Sequence, residues 1–509
     1  MITGSVPLIM GSADEFRAWR AALINLHYDE ASICSRAGIR SIFEFRTKSE
    51  QRQTGIELND ALDALIHLMM DGETMHRSHL RSLLPGPPLE ALESMGVLAR
   101  VPDQPDLYYA TVFLYPVASL YIASDRGMAI DKSDITSERE VVYPAITSNT
   151  RRFLDSLPEA PCESLLDLCS GSGIAAFIGA IRYARHAWSC DLAERSVCFA
   201  EFNRRLNGIE NATCLQGDLY SPVADLTFDR IVAHPPYVPS AEQEVLFRDG
   251  GEDGEQVLRG VIEGLPRHLR SGGICCCQTM ATDREGNSFE QRIRGWLGEH
   301  EREFDVILVA NTIRSKNEFL QDARQNPKAA DLGPLLTALK VTAVYYGSVV
   351  LQRFTADRAP VTTRIRKAPG AGSEANEWFI RWTTAAAAAD FDAFLRQSRP
   401  HMSPHLILNV AHAVENGALV PSRFELRSDF PFSVALAGGG WLAVAVSACD
   451  GQKTAEEIFA EMKQREAIPD ETPEPQFLRD LRALISCGFL ELDEFRLPAK
   501  QLPPDRGRP

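Results

Sequence analysis

Ser164-Leu165-Leu166-Asp167-Leu168-Cys169-Ser170-Gly171-Ser172-Gly173-Ile174-Ala175-Ala176-Phe177 is the stretch from which the fold of this 509-residue chain is read. An apolar run ends near Asp167, a turn carrying two glycines follows, and an apolar helical start takes over at Ile174. That order is strand, glycine turn, helix. Glycine suits such a turn because it reaches backbone conformations closed to other residues and lets a ligand approach the main chain. The turn alone does not identify the ligand. Gly171-Ser172-Gly173-Ile174-Ala175-Ala176 offers alanine where a pyrophosphate-binding Gly-x-Gly-x-x-Gly has its third glycine, a substitution some dinucleotide folds tolerate.

Working outward, apolar runs alternate with helical stretches from Thr147 to about Phe354. The strand candidates are Ser164–Leu168, Ala187–Asp191, Ala212–Leu215, Phe228–Ala233, Gly273–Cys277, Phe304–Val309 and Ala343–Leu351. This rhythm predicts an α/β, Rossmann-like, seven-stranded and mostly parallel sheet with helices on both faces. The sixth and seventh strands are expected to form an antiparallel edge. Asp191 ends the second strand, where a carboxylate can accept both hydroxyls of a ribose or simply cap the next helix. Gly217-Asp218-Leu219 follows the third strand, where an aspartate can meet an adenine amino group or serve an ordinary turn. After the fourth strand comes Ile231-Val232-Ala233-His234-Pro235-Pro236-Tyr237. Its two prolines stiffen the loop and free their carbonyls from ladder pairing, and its aromatic ring can pack on a planar, nitrogen-bearing group.

As a set these segments resemble class I S-adenosylmethionine-dependent methyltransferases, and within them the HemK-like glutamine-N5 methyltransferases of release factors and ribosomal proteins. Arg248-Asp249-Gly250-Gly251-Glu252-Asp253-Gly254, Leu258 and Pro266-Arg267-His268-Leu269-Arg270-Ser271-Gly272-Gly273 repeat that group's downstream pattern. The likeness spans roughly residues 160 to 280. It implies S-adenosyl-L-methionine as cofactor. Asp167, Cys169, Ser170, Gly171 and Gly173 would hold its methionine part, Asp191 and Leu192 its ribose, and Gly217, Asp218 and Leu219 its adenine. His234 would border both the cofactor and the acceptor, with Pro235, Pro236 and Tyr237 completing the catalytic loop.

In the family the acceptor motif begins with Asn or Asp. That side chain and the carbonyl of the first proline accept hydrogen bonds from the substrate nitrogen, which aims its lone pair at the methyl group, and such positioning lowers the barrier. Here the first residue is His234. A neutral imidazole accepts one hydrogen bond and cannot imitate both faces of an amide. Three readings stay open. His234 is a base or acceptor for a changed substrate, a plain acceptor in the same amide chemistry, or a mark of a site that binds cofactor without turnover.

The flanks predict further parts. Residues 1–146 form a helical/winged-helix accessory domain, with helices over Ala13–Leu26 and Ile56–Met70. A further helix there is closed by Gly96 and followed by strands Val97–Val101 and Tyr108–Leu114. Glu90 and Glu93 on that helix would face any phosphate, so a packing or lid role is favoured. Residues 147–354 form the methyltransferase core, 355–422 a linker and connector in which Ala385–Ala389 starts a helix, 423–497 a C-terminal module and 498–509 a disordered tail. Phe113-Leu114-Tyr115-Pro116-Val117, Ser124-Asp125-Arg126 and Cys449-Asp450-Gly451 resemble a bacterial HemK-like subfamily flanked by two winged-helix-like domains. The last module is also similar to the PqqD-like peptide-binding fold.

Composition narrows the function. The formal net charge is -16, which argues against a polyanionic substrate. No apolar run approaches the roughly 20 residues of a membrane span, and no signal peptide is visible. The eleven cysteines lack zinc-ligand spacing, so no metal is expected and a reducing cytoplasm is. The expected activity is methyl transfer to an amide, amine or guanidine nitrogen of a small molecule, peptide or protein. The alternatives are a base-amino methyltransferase for RNA or DNA, and a cofactor-binding pseudo-enzyme that recruits a peptide or carrier. His186 and His268 are read as surface or packing residues, and Tyr143–Thr147 as bordering either the cofactor or the core.

Overall fold

The computed structural model describes residues 6–45, 58–84, 87–127, 140–240, 245–323, 332–355 and 358–499. Residues 56–57 of the expected second helix and 500–509 of the expected tail lie outside them.

The N-terminal part opens with α1 (Ala13–Asn25), whose Ser12 and Glu15 form a reciprocal capping box. It continues with α2 (Glu30–Ala37), α3 (Ala61–Leu65), strand β1 (Thr74–His76), α4 (Arg77–Leu83), α5 (Pro87–Ser94), β2 (Leu98–Val101) and β3 (Gln104–Ala110). The three strands pair in the order β1-β3-β2. A hairpin of β4 (Phe113–Val117) and β5 (Leu120–Ser124) follows, buried almost throughout.

The core then runs α6 (Ser148–Leu154), β6 (Cys162–Leu168), α7 (Ile174–Arg182), β7 (Ala184–Asp191), α8 (Glu194–Asn207), β8 (Ala212–Gln216), β9 (Phe228–Ala233), α9 (Gln256–His268) and β10 (Leu269–Arg284). It closes with α10 (Phe289–Leu297), β11 (Phe304–Ser315), α11 (Lys316–Ala323), α12 (Leu332–Ala338), β12 (Val341–Arg353) and β13 (Thr362–Arg366). The sheet order is β13-β11-β12-β10-β9-β6-β7-β8. β6, β7, β8, β9 and β10 run parallel, while β12 is antiparallel to both neighbours. One face packs on α9 and α10 through Leu258, Ile262, Phe289 and Ile293. The other packs on α7 and α8 through Phe177, Phe199 and Phe202 and continues into both flanking parts.

Two expectations for the linker are corrected. β13 pairs parallel with β11 and adds an eighth strand where only a linker was expected. Thr362, Thr363 and Ile365 suit a strand, and Arg364 is tied to Asp283 at 3.0 Å and Glu290 at 2.6 Å. Second, Ala385–Ala389 ends a helix and does not start one. α13 spans Ser373–Ala386 and is fixed by its buried Trp378, Phe379, Ile380 and Trp382, so the packed aromatic face and not the alanine run decides its extent.

α14 (Phe391–Gln397) and β14 (His401–Met402) lead to a three-stranded antiparallel sheet of β15 (Leu406–Glu415), β16 (Ala418–Ser428) and β17 (Val434–Gly438). α15 (Gly440–Ala448), α16 (Ala455–Gln464), α17 (Glu474–Ser486) and β18 (Leu490–Glu491) complete the chain. Thr454 and Glu457 form a capping box at the start of α16. Among the described residues no helix is long and apolar enough to cross a membrane.

Candidate active site

The loops that follow β6, β7, β8 and β9 open onto one cavity of about 1230 Å³. Asp167, near the end of β6, is 2% exposed, and its Oδ2 accepts the Ala176 N–H at 3.1 Å. Burial pushes its carboxyl up to about 8, against the pull of that hydrogen bond. The turn beyond it is conformationally demanding. Cys169 has φ 56° and Gly171 φ 53°, so a β-carbon-bearing residue is already held in the left-handed region here. Such strain persists where the surroundings over-determine it, commonly beside a ligand. A Cβ on Gly171 would meet no protein atom within 4 Å; it would project into open space.

Asp191 closes β7 and ties three loops together. Its Oδ2 accepts the Gly171 N–H at 2.8 Å, its Oδ1 accepts the Ala193 N–H at 3.0 Å, and its main-chain carbonyl accepts from Gly217 at 3.0 Å. Burial raises its pKa, and the two N–H groups oppose that shift. Hydrogen bonds from Ser196 and the Leu192 N–H also lower it. Leu192 is 54% exposed and Leu219 has φ 45°; both line the cavity beside the exposed Asp218.

The acceptor loop forms another part of the cavity wall. The His234 ring lies between two aromatic rings, with Phe153 at 5.2 Å and Tyr237 at 5.9 Å, the latter nearly parallel at 18°. Among the described residues no hydrogen bond reaches either ring nitrogen. Burial pushes the imidazole down to about 4, so it is neutral at pH 7. Tyr237 accepts a hydrogen bond from Asn149 Nδ2 at 3.1 Å, and Asn149 in turn accepts from Arg152 at 3.3 Å. The Tyr237 ring meets Tyr346 edge-on at 5.7 Å.

Arg248–Gly254 backs this loop by main-chain pairing. Val238 donates to Arg248 at 2.9 Å, and Gly250 donates to Val238 at 2.8 Å. A Cβ on Gly250 would lie 2.7 Å from the Pro236 carbonyl oxygen, so close backbone approach requires glycine there.

Asp167, Cys169, Ser170, Gly171, Asp191, Leu192, Gly217, Asp218, Leu219, His234, Pro235, Pro236 and Tyr237 all line the one cavity. Gly173 does not. Its φ of 80° and a Phe177 ring 2.5 Å from a would-be Cβ make it a packing glycine behind the turn, which corrects its expected ligand contact. His268 stacks on Tyr220 at 4.4 Å, and His186 pairs with Thr213 at 2.9 Å; both are structural. Sequence reasoning missed Asn149 and Phe153, which α6 brings to the acceptor loop. The only signal was their position just after Tyr143-Pro144-Ala145-Ile146-Thr147, of which Tyr143 and Ala145 do border the cavity.

The N-terminal part reaches this site directly. Arg195, on the helix after Asp191, donates to Asp125 at 2.7 Å, and Asp125 also accepts the N–H of the cavity-lining Val142 at 2.8 Å. Asn203 Nδ2 donates to the Ser172 carbonyl inside the glycine turn at 3.0 Å.

The sheet, and the cavity at the ends of its parallel strands, have the Rossmann-like architecture of a class I methyltransferase domain. A family profile described as "Methyltransferase small domain" matches residues 143–280. A ribosomal protein uL3 glutamine methyltransferase of Bradyrhizobium diazoefficiens is 30% identical, over 29% of this chain and 50% of that protein. A release factor glutamine methyltransferase of Thermodesulfovibrio yellowstonii is 35% identical, over 22% of this chain and 44% of that protein. An inferred protein N5-glutamine methyltransferase of Methanocaldococcus jannaschii is 30% identical, over 26% of this chain and 70% of that protein. The chain belongs to this HemK-like family of S-adenosylmethionine-dependent methyltransferases. It spans about half the length of the first two relatives.

Proposed function

We propose that this chain transfers a methyl group from S-adenosylmethionine to an amide-type nitrogen of a protein or peptide. One observation carries the reading: the three acidic loop ends and the His234-Pro235-Pro236-Tyr237 loop line a single cavity. A single drug-sized ligand fills roughly 300–1,000 Å³, and 1230 Å³ leaves room for a cofactor and part of an acceptor. Asp167 and the Gly171 turn would hold the methionine part, Asp191 the ribose and Asp218 the adenine. The fit rests on the open space over Gly171, the Asp191 carboxylate on the cavity wall and the strained Cys169 and Leu219. When bound, the cofactor supplies a methyl group on a positive sulfur.

His234 acts here as a hydrogen-bond acceptor and not as a base. A ring whose pKa sits at about 4 takes up a proton poorly at pH 7, yet its free nitrogen lone pair can receive a substrate N–H. The proton that the nitrogen loses goes to solvent. Phe153 and Tyr237 hold the ring between them, and Asn149 holds Tyr237.

The cavity's charge favours a neutral acceptor over a nucleic acid. Its described lining carries Glu140, Asp191, Asp218 and Asp249 against Arg248, and Arg248 is paired with Asp249 at 2.6 Å. Phosphate recognition requires basic groups in place of such a wall.

Labelled methyl transfer into cell extract, resolved into protein, RNA and small-molecule fractions, tests the reading. Label should enter the protein fraction. Label confined to RNA, or absent while S-adenosylhomocysteine still binds, would reject it. A His234→Asn variant run beside it should gain activity on glutamine peptides.

A further inference from the structure

Beyond the acceptor loop the cavity continues into an apolar end. Tyr143 stacks on Phe247 with ring centroids 4.9 Å apart and 24° between planes. Met280, Phe319, Leu332 and Leu335 line the same cavity, and Met280 stands in register with Tyr346, whose ring meets Tyr237. None of the six side chains is charged. All but Tyr143 are half-buried, and Tyr143 at 38% exposure marks the rim.

Three of them come from an elaboration that the sheet does not need. An antiparallel pair such as β11 and β12 can be joined by a two-residue turn. Here residues 316–340 intervene, carrying α11 and α12. The insertion packs on β12 around the buried Leu336, Val341 and Val344, and Met280, Phe319 and Leu332 lie against that cluster. Phe319, Leu332 and Leu335 nevertheless remain on the cavity wall. Connections longer than closure requires are often functional. Partly water-exposed apolar side chains that converge in a cleft mark a place where a ligand buries apolar surface.

We propose that this end is an acceptor subsite for a peptide whose methylated amide side chain is flanked by an aromatic or branched apolar residue. The inference rests on the N-methylation reading for the identity of the neighbouring group. The flanking side chain would sit against Phe319, Leu332 and Met280, with the amide at His234. Met280, unbranched and polarisable, suits an edge contact with an aromatic ring. Burying a phenylalanine side chain in place of an alanine methyl should improve binding at least tenfold.

The test uses the full chain saturated with S-adenosylhomocysteine. Calorimetry measures binding of three blocked peptides, acetyl-Gly-Gln-Phe-amide, acetyl-Gly-Gln-Ala-amide and acetyl-Gly-Gln-Lys-amide. The phenylalanine peptide should bind at least tenfold tighter than the other two. Phe319→Ala should cut that preference below threefold without changing affinity for S-adenosylhomocysteine, and Leu332→Gln serves as a second variant if the first does not fold. Equal binding of the three peptides, no binding of any, or an undiminished preference in both variants overturns the proposal. Addition of S-adenosylmethionine separates the two readings. A phenylalanine preference without methylated product keeps the subsite and rejects transfer, whereas equal product from equally bound peptides keeps transfer and rejects the subsite.

Discussion

Asn203 gives the main chain of Ala123 both halves of a strand partner: its Oδ1 accepts the Ala123 N–H at 2.7 Å and its Nδ2 donates to the Ala123 carbonyl at 3.1 Å. Asn207, one turn on, does the same for Tyr121, at 2.8 and 2.7 Å. Residues four apart on a helix share a face, and residues two apart on a strand share a side, so the two periods meet here. Because Asn203 also holds Ser172, strand β5 of the N-terminal part is hydrogen-bonded through one buried amide to the glycine turn of the cofactor site.

Replacing Asn203 by Ala should therefore do two things at once. It strands the Ala123 N–H and the Ala123 and Ser172 carbonyls in a buried place, at about 1–3 kcal/mol for each unsatisfied group. Thermal melting should fall by several degrees, and the dissociation constant for S-adenosylhomocysteine should rise about fivefold or more. A variant with a lowered melting temperature and unchanged cofactor affinity would refute the link.

Asp167 predicts a trade between stability and binding. Its carboxyl titrates at about 8 in the fold against 3.8 as the ordinary value. The folded state thus binds the extra proton between these values, and stability contributed at low pH is lost as pH rises through that window. Asp167→Asn keeps an acceptor for the Ala176 N–H and removes the charge. At pH 8 the ligand-free variant should be more stable than the parent, by on the order of a few kcal/mol. Its cofactor affinity should collapse. For the parent, affinity for S-adenosylhomocysteine should climb from pH 6 to 8, a slope that isothermal titration would detect and that the variant should lack.

The His234 ring makes the opposite acid prediction. Its pKa lies near 4 in the fold and near 6.5 when unfolded, so the unfolded chain takes up the proton first. The resulting stability is present above about 6.5 and is lost as pH falls towards 4. His234→Gln should lose less stability between pH 7 and 4.5 than the parent does. Nuclear magnetic resonance should show the His234 ring neutral at pH 6; a midpoint near 6.5 would contradict the acceptor assignment.

Gly250→Ala should separate the acceptor side from the cofactor side. The new methyl group would stand 2.7 Å from the Pro236 carbonyl oxygen and 2.9 Å from the Tyr237 Cα, so the acceptor loop must move. A displacement of about 1 Å in a reacting geometry can cost on the order of 100-fold in rate. Turnover should drop by that order while cofactor affinity stays within about twofold. Asn149→Ala, which removes a partner of the Tyr237 hydroxyl and of Arg152, should cost about tenfold.

Much of the sheet and most of the cavity wall were legible in the sequence because their signals are local. Asp167, Asp191, Asp218 and His234 each end a strand that alternation or apolar runs reveal, and the loops gather by topology at one rim. Asn149, Phe153 and Asn203 were not legible. Their partners stand 88 positions away for Tyr237 and 80 for Ala123, and no short-range pattern distinguishes an amide that pairs across such a distance from one that faces water. His234 was visible as a departure but not as a neutral ring, since its pKa depends on burial. β13 was hidden for another reason: Pro360, Pro369, Gly370 and Gly372 bracket it with loop punctuation, while the strand itself is short and lies at an edge.

That eighth strand has a consequence for how the chain is made. β11 is 12 residues long, and without β13 one of its sides is a row of unpaired N–H and C=O groups able to recruit any passing strand. A nascent chain that has left the ribosome only as far as Arg353 already holds the residues of the cofactor cavity, yet it carries that open border. Asp305, buried in the border strand, also waits for Arg358, its partner at 2.6 Å. Residues 358–366 supply both: Arg358 meets Asp305, and β13 covers Val306–Ala310, leaving a five-residue strand as the border in place of a 12-residue one.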